Sequence, residues 1–422
     1  MAGIKGFIQF LSTILCVSLL VWICNADYHA SLVSASKQGD MYSEWMVKEE
    51  NSEFYTVVSG KKYYFTGNIT QPVINENGDI EGKLSKYLEI ERINMQSEGS
   101  SVMSITGDCS LGSLNGAGSK SRFYKYIKEK GGTYPFLNVK TLFENDSYTF
   151  VNLEGTLTTQ EKQARKTYRI KGEPDWASSI LWACSIEGVT LANNHSYDYL
   201  EDGYKETRQA LEDANIAYAV QNLPVVAKVG DTEVIIIVGN YVNDGVKIGL
   251  RGNALTQSIV GEIKKYKNPR NIVMVICHWG SELEDKPNSE QRSAAHAFID
   301  EGADMVLGHH PHVLQGIEKY ADKYIFYSLG NFAFAGNSTV NNTNKKSMIV
   351  RPRIANIDGA AQITGYSIVP CYTTSTGNST NNFQPLPLFG SKAQELSDYL
   401  VKLSSKIPGG VETVDVPTTV IE

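Results

Sequence analysis

Two runs, "EVIIIVGNY" (233–241) and "NIVMVICHWG" (271–280), are apolar at nearly every position. A strand with one buried face alternates apolar and polar residues. A strand without alternation must be covered on both faces, and helices are the usual cover. These runs therefore commit the chain to an α/β arrangement. Around them strand and helix patterns alternate from about residue 101. "SVMSITGD", "YTFVNLEG", "VTLANNH", "ADMVLGHH" and "KYIFYSLGNF" read as further strands. "SRFYKYIKEKG", "WASSILWACSIEG", "GYKETRQALEDAN" and "SEQRSAAHAFIDEG" read as helices. Gly188 is the expected stop of the second, and Ser289 and Gly302 open and close the last. This alternation is that of an α/β domain with much of its sheet parallel.

The flanks differ. Residues 27–100 are rich in Tyr, Val and Thr and broken by Ser-Gly and Asn-Gly turns, which predicts a small β-rich region of short antiparallel strands. After the main pattern, "KSMIVRPRIANI" and "AAQITGYSIVP" read as strands and "SKAQELSDYLVKL" as a helix. The expected divisions are 1–26, 27–100, 101–370 and 371–422, the last completing or flanking the domain before it. At the N-terminus Gly6–Ala26 carries no charge, and its apolar part, Phe7–Cys24, has the length of a bilayer-spanning helix, roughly 20 residues. It reads either as a signal peptide cut after Ala26 or as a retained membrane anchor. In both cases the rest of the chain is expected outside the membrane, anchored or secreted.

The formal net charge is −7 and no Lys/Arg stripe is present, so nucleic acid is not an expected partner. Cys16 and Cys24 lie in the apolar segment. Cys109, Cys184, Cys277 and Cys371 are isolated, without disulfide-framework or zinc-knuckle spacing. There is no Gly-x-x-x-x-Gly-Lys phosphate loop and no Gly-x-Ser-x-Gly elbow.

The polar residues that follow the strands carry the chemistry. They are Asp108; Asn152 and Glu154; Asn193, Asn194, His195 and Asp198; His278 and Glu282; His309, His310 and His312; and Asn331. In an α/β sheet the ends of parallel strands open on one edge, where ligands bind. Taken singly, each has a plain reading: a helix cap for Asp108, a turn residue for His195, a hydrogen-bonded core histidine for His278. Taken together, five of the seven histidines fall at strand ends facing one rim, while His29 and His296 fall outside it. Imidazole, carboxylate and amide oxygen form a borderline ligand set, suited to Mn, Zn or Fe. One of the three histidines in "HHPH" is expected only to support its neighbours.

The ordered set "TGDCSLG", "VNLEGTLT", "LANNHSYDYLEDG", "ICHWGSELE", "LGHHPHVLQGIE" and "FYSLGNF" closely resembles the CapA family of capsule or poly-gamma-glutamate synthesis proteins, over about residues 101–340. That family is similar to the calcineurin-like metallophosphoesterases. The resemblance implies a four-layer α/β/β/α fold, a metallophosphoesterase-like β-sandwich flanked by helices, with one or two divalent ions. It places Asp108, Glu154, Asn194, His278, His309, His310 and His312 at ligand positions and His195, oriented by Asp198, at the catalytic one. Asn152, Asn193, Glu282 and Asn331 are then expected to face substrate. Three departures stand out. Cys109 and Ser110 replace the usual Asp-x-His continuation, Glu154 takes the place of a bridging aspartate, and the histidine motif carries an extra residue and Pro311.

The expected function is synthesis, export or attachment of an anionic surface polymer such as poly-gamma-glutamate, with other capsule-synthesis subunits as partners. Two alternatives stay open: a non-catalytic polymer-binding subunit on the same fold, and a general extracellular phosphoesterase.

Overall fold

The computed structural model describes residues 48–50, 53–58, 61–65, 91, 99–243, 249–414 and 416. The segment 1–26, with its reading as a signal peptide or anchor, lies outside the described residues. Among the described residues no helix is long and apolar enough to cross a membrane. Strands Lys48–Glu50, Glu53–Val58 and Lys61–Phe65 form a small antiparallel sheet of their own.

The main domain is built on two large sheets, with a small three-stranded one (Ser113–Leu114, Ile170–Gly172 and Thr156–Leu157) beside them. In the first, β1 (Ser104–Ser110), β2 (Thr149–Leu153), β3 (Gly188–Thr190) and β4 (Ala217–Ala219) run parallel, in the order β4-β3-β2-β1. The second is built from β5 (Val225–Val229), β6 (Thr232–Asn240), β7 (Asn271–His278), β8 (Met305–His309), β9 (Ile317–Tyr320) and β10 (Lys323–Phe326), in the order β5-β6-β7-β8-β10-β9. Its four central strands are parallel, and β5 and β9 pair antiparallel at its edges. The chain then returns to the first sheet. β11 (Asn331–Phe334) lies parallel to the end of β1, while β12 (Lys346–Ile357) pairs antiparallel with the start of β1 and with β13 (Ala360–Tyr372).

The continuous apolar run of β7 explains the layering. Ile272, Met274 and Ile276 belong to the core shared with the first sheet, alongside Ile105, Val350 and Ile368. Val273, Val275 and Cys277 point the other way, into a second core against helices. There α4 (Gly252–Tyr266) contributes Leu255, Ile259 and Ile263, spaced at one face of a helix, and α5 (Ser289–Asp300) contributes Ala295 and Phe298. On the other side α1 (Arg122–Lys130), α2 (Pro174–Ala183) and α3 (Leu200–Asp213) pack Phe123, Leu181 and Leu211 into the first core. The result is the four-layer α/β/β/α sandwich. Burial of each such Ile, Leu, Met or Phe contributes about 1.5–3 kcal/mol. α6 (Gly390–Ser404), beyond the long hairpin, adds Leu396 and Leu400 to the same core. Arg351 is fully buried and bonds Glu91 at 3.0 Å.

Several local expectations are corrected. "KYIFYSLGNF" is two strands, not one, and its halves lie in different sheets. The break is at Gly330, whose φ of +69° is left-handed. There the chain crosses so closely that a Cβ on Gly107 would sit 2.1 Å from Gly330 O. Gly188 does not stop α2, which ends at Ala183; it opens β3, where a Cβ would meet Tyr148 Oη at 2.5 Å. α5 does open at Ser289, and the residue that caps it is Asn288, with Gln291 answering in a reciprocal capping box. Of "VTLANNH" only Val189 and Thr190 are extended, as the end of β3. Cys109, Cys184, Cys277 and Cys371 are buried free thiols, as their isolation suggested.

Candidate metal centre

Strand register brings the motifs together. In the first sheet Asp108 stands opposite Asn152 on one side and Asn331 on the other. In the second, His278 stands opposite His309. The parity that sends Ile272, Met274 and Ile276 inward sends His278 inward too, at the carboxyl end of its strand. The rim is therefore shared by two sheets facing each other across the core, not by the single open edge that strand order alone suggests.

Glu154 lies at the middle. It is fully buried, and neither side-chain oxygen has a hydrogen-bond partner. Its Oε1 lies 3.8 Å from Nε2 of each of three histidines, His195, His278 and His312. That separation is too long for a hydrogen bond. It is near the spacing of two ligands on one ion, roughly 3.4 Å for tetrahedral bonds of about 2.1 Å. A buried carboxylate without a hydrogen bond is costly, and a divalent cation would answer it. Asp108, Glu154 and His312 place one donor atom each within 4.8 Å of one another, and Glu282, His310 and His312 do the same. The donor set therefore fits one or two divalent ions, with His312 common to both groups.

The supporting contacts are dense. Asn152 donates to Asp108 Oδ1 at 2.7 Å and lies 3.3 Å from His278 Nδ1. Asn193 donates to Asn152 Oδ1 at 3.0 Å and accepts from His195 N at 3.1 Å. Asn331 Oδ1 sits 2.8 Å from His312 Nδ1. These three amides, expected to face substrate, are spent on holding carboxylates and imidazoles in place. Asn194 Oδ1 approaches His278 Nε2 at 2.8 Å and so points into the centre. His310 and His312 have φ of +94° and +57°, left-handed values that turn the chain so that nearby residues aim at one spot. The His310 ring lies 4.8 Å from that of His278. His309 turns away: its Nε2 donates to Thr106 O at 2.8 Å, tying the second sheet to the first. His296, expected outside the site, bonds Glu318 at 2.8 Å and stacks on Tyr320.

Charge follows from this packing. Burial alone would raise the Asp108 carboxyl, but the His312 hydrogen bond and the charges of His309 and His312 outweigh it and hold it below its usual value. Burial drives Glu154 well above its usual range, opposed by His312 and reinforced by Asp108. Burial and the neighbouring imidazoles drive His278 well down, and burial lowers His309. Burial disfavours the His312 cation as well, yet Glu154 and Asp108 push its pKa up to about 10.

His195 is set apart from the donor groups. Its Nδ1 lies 2.7 Å from Asp198 Oδ2, and that carboxylate also accepts from Ile170 N at 2.6 Å. Lys166 completes the arrangement, 2.8 Å from Asp198 Oδ1 and bonded to Asn194 O at 2.7 Å. No sequence signal marks Lys166, which lies in a polar loop. The altered opening motif is explained by packing. Ser110 Oγ accepts from Ala335 N at 2.6 Å and Cys109 Sγ donates to Gly107 O at 3.6 Å, and neither side chain belongs to the donor groups of the centre.

The sequence profile described as "Bacterial capsule synthesis protein PGA_cap" matches residues 102–336. The chain belongs to this family. The matched span runs from the start of β1 to the end of β11 and includes every residue of the centre. Among PGA_cap relatives, the chain is 30% identical over 260 residues to the capsule biosynthesis protein CapA of Bacillus anthracis, covering 55% of this chain and 59% of that protein. It is 32% identical over 234 residues to the PGA biosynthesis protein CapA of Bacillus subtilis, covering 50% and 59%. The aligned segment thus spans 59% of the length of either relative. Among solved structures, a calcineurin-like phosphoesterase of Bacillus subtilis aligns at TM-score 0.39 and 12% identity, over 72% of this chain and 98% of that one. A phosphatase from Mycoplasma pneumoniae aligns at 0.40 and 12%, over 64% and 93%. Similarity at this level speaks for neither activity nor ligand.

Proposed function

We propose that this PGA_cap protein is exported and acts at the cell surface, in synthesis, export or attachment of an anionic polymer such as poly-gamma-glutamate, through a divalent-metal hydrolase-like centre. The observation that carries the metal is Glu154: a buried carboxylate without a hydrogen bond, facing three imidazole nitrogens at 3.8 Å. Asp108, Glu154 and His312 would hold one ion, and His278, His310, Asn194 and Glu282 would serve a second. Mn, Zn and Fe match the donor chemistry. The bound ion would supply Lewis acidity toward an acyl or phosphoryl oxygen and lower the pKa of water. His195 supplies the proton. With Nδ1–H on Asp198 and Nε2 toward the centre, its cationic form delivers a proton to a departing group at Nε2. Asp198 and Lys166 keep the ring in that orientation. Asn152 and Asn331 fix the two sides of the rim.

Support for the polymer comes from the family and from the names of its capsule-synthesis relatives; support for export comes from the apolar stretch Gly6–Ala26. A non-catalytic polymer-binding role has one observation in its favour, the occupied Ser110 position, which leaves one ion with a thin ligand set. Elemental analysis of protein purified without chelator decides the central point. At least one Mn, Zn or Fe per chain is expected, and it should fall to background in Glu154→Gln. Metal-free wild-type protein that shows no thermal shift with Mn or Zn would overturn the reading.

A further inference from the structure

The loop after β7, residues 280–285, carries an apolar side chain that packing does not explain. Leu283 is 63% exposed, more than any other large apolar side chain among the described residues. Its φ is +63°, in the left-handed region. A Cβ makes that conformation unfavourable, and Asn and Gly are the residues that accept it; for a bulky residue it is an outlier. Among the described residues two other large apolar ones share it, Leu200 and Phe383. Leu200 is half-buried, and Phe383 is 2% exposed and belongs to the main core, so packing offsets their strain. Leu283 combines the strain with an exposed side chain.

The loop is fixed on both sides, which keeps Leu283 in that conformation. Gly280, with φ of +81°, lies so close to Gln291 that a Cβ would meet its Oε1 at 2.7 Å. Leu283 N donates to Pro311 O at 2.8 Å. Glu284 O accepts from Nε2 of the fully buried Gln315 at 2.8 Å, and Asp285 pairs with Lys406 at 2.6 Å. These contacts set Leu283 beside the centre. Its neighbour Glu282 forms a donor group with His310 and His312, and Pro311 stands between those two histidines. Glu282 is the exposed member of that group, so the centre opens to solvent on this side.

We propose that Leu283 is a substrate contact, packing at the mouth of the centre against the apolar part of the substrate, which in a γ-linked glutamate chain is the run of methylenes in each unit. The proposal rests on the reading that the centre works on such a polymer. Through an ion, the centre can engage the charged and carbonyl oxygens of the chain. Its carboxylates, imidazoles and amides offer the methylenes no counterpart. Leu283 supplies one, and covering its exposed side chain with substrate gives hydrophobic stabilisation that the free protein lacks. The strained backbone is then a cost to folding kept for recognition, since Asn at this position would relieve the strain and remove the contact.

Binding of two probes to the full-length, Mn-loaded protein tests this: γ-linked tetraglutamate, and inorganic phosphate, which can reach an ion but has no apolar part. Leu283→Asn should weaken tetraglutamate binding about tenfold, with phosphate binding and Mn content unchanged. The same variant should melt at or above the wild-type temperature, because Asn accepts a left-handed backbone. Leu283→Met restores an apolar side chain of similar volume and should keep most of the binding. Ile357→Asn removes an exposed apolar side chain at the hairpin between β12 and β13, away from the strand ends that carry the centre, and should leave both probes unaffected. If Leu283→Asn binds both probes like the wild type, the contact is overturned while the polymer reading stands. If it weakens both alike or loses Mn, Leu283 serves only to place Glu282, and the contact is overturned as well. If the wild type binds phosphate but not tetraglutamate, the polymer reading falls, and the contact with a glutamate chain falls with it.

Discussion

Glu154 is a residue whose cost and use are opposite. Without a cation its burial disfavours the charged form, so the metal-free protein carries a liability at this position. Glu154→Gln removes that charge at constant shape. Its metal-free melting temperature should equal or exceed that of the wild type, while stabilisation by added Mn or Zn should vanish; thermal scans with and without metal read both. Protons follow the same logic. The His312 pKa is pushed up to about 10, so at neutral pH an incoming ion must displace that proton. Apparent metal affinity should therefore rise with pH, by about tenfold per unit for each proton released, across the window from neutrality toward 10. Calorimetry in buffers of different ionisation enthalpy counts the protons. A folded pKa raised above the unfolded value stabilises below the unfolded value and is lost as pH rises through the folded one. The His312 contribution to metal-free stability should accordingly fade above neutrality. His195 was legible from "NNHSYD" and its spacing to Asp198. Lys166 was not, because a lysine in a polar loop looks like any solvated lysine until the loop is folded over Asp198.

At the level of elements, the backbone crossing between β1 and β11 places Asp108. Asp108 N donates to Gly330 O at 2.9 Å, and the two chains touch at Gly107 and Gly330. Gly107→Ala would force them apart and should cost about 1–3 kcal/mol, with weakened metal binding because Asp108 moves with its strand. Denaturant unfolding and metal titration of the same variant check the two effects. The α5 cap is a control remote from the chemistry. Asn288→Ala should cost about 1 kcal/mol through loss of the capping box and leave metal content unchanged. The split of "KYIFYSLGNF" shows why element boundaries escape sequence reading. Both halves carry strand-forming residues, and the turn between them is set by a close contact with residues more than 200 positions earlier.

For the whole molecule, the ion is expected to act as a clasp between sheets. Asp108 and Glu154 come from the first sheet and His278, His310 and His312 from the second, so metal binding couples the two halves of the sandwich. At a free ion concentration a hundredfold above Kd, the gain should be about 2.7 kcal/mol. Chelation should lower the melting temperature while helices and strands persist by circular dichroism. His309 provides a metal-independent tie across the same boundary through Thr106.

The chemistry-bearing residues and the α/β class were written in local pattern. Continuous apolar strands have to be covered, and polar residues just beyond strand ends have to meet at an edge. Which of those residues reach the centre was decided only in three dimensions. Asn152, Asn193 and Asn331 look like ligand-facing amides in sequence but are bonded to their neighbours, and His309 looks like its two companions but faces a carbonyl. The sharing of one site between two sheets depends on register, on the left-handed turns at His310 and His312, and on a glycine contact between distant strands. These are long-range properties, because each is a distance between segments that the chain order does not bring together.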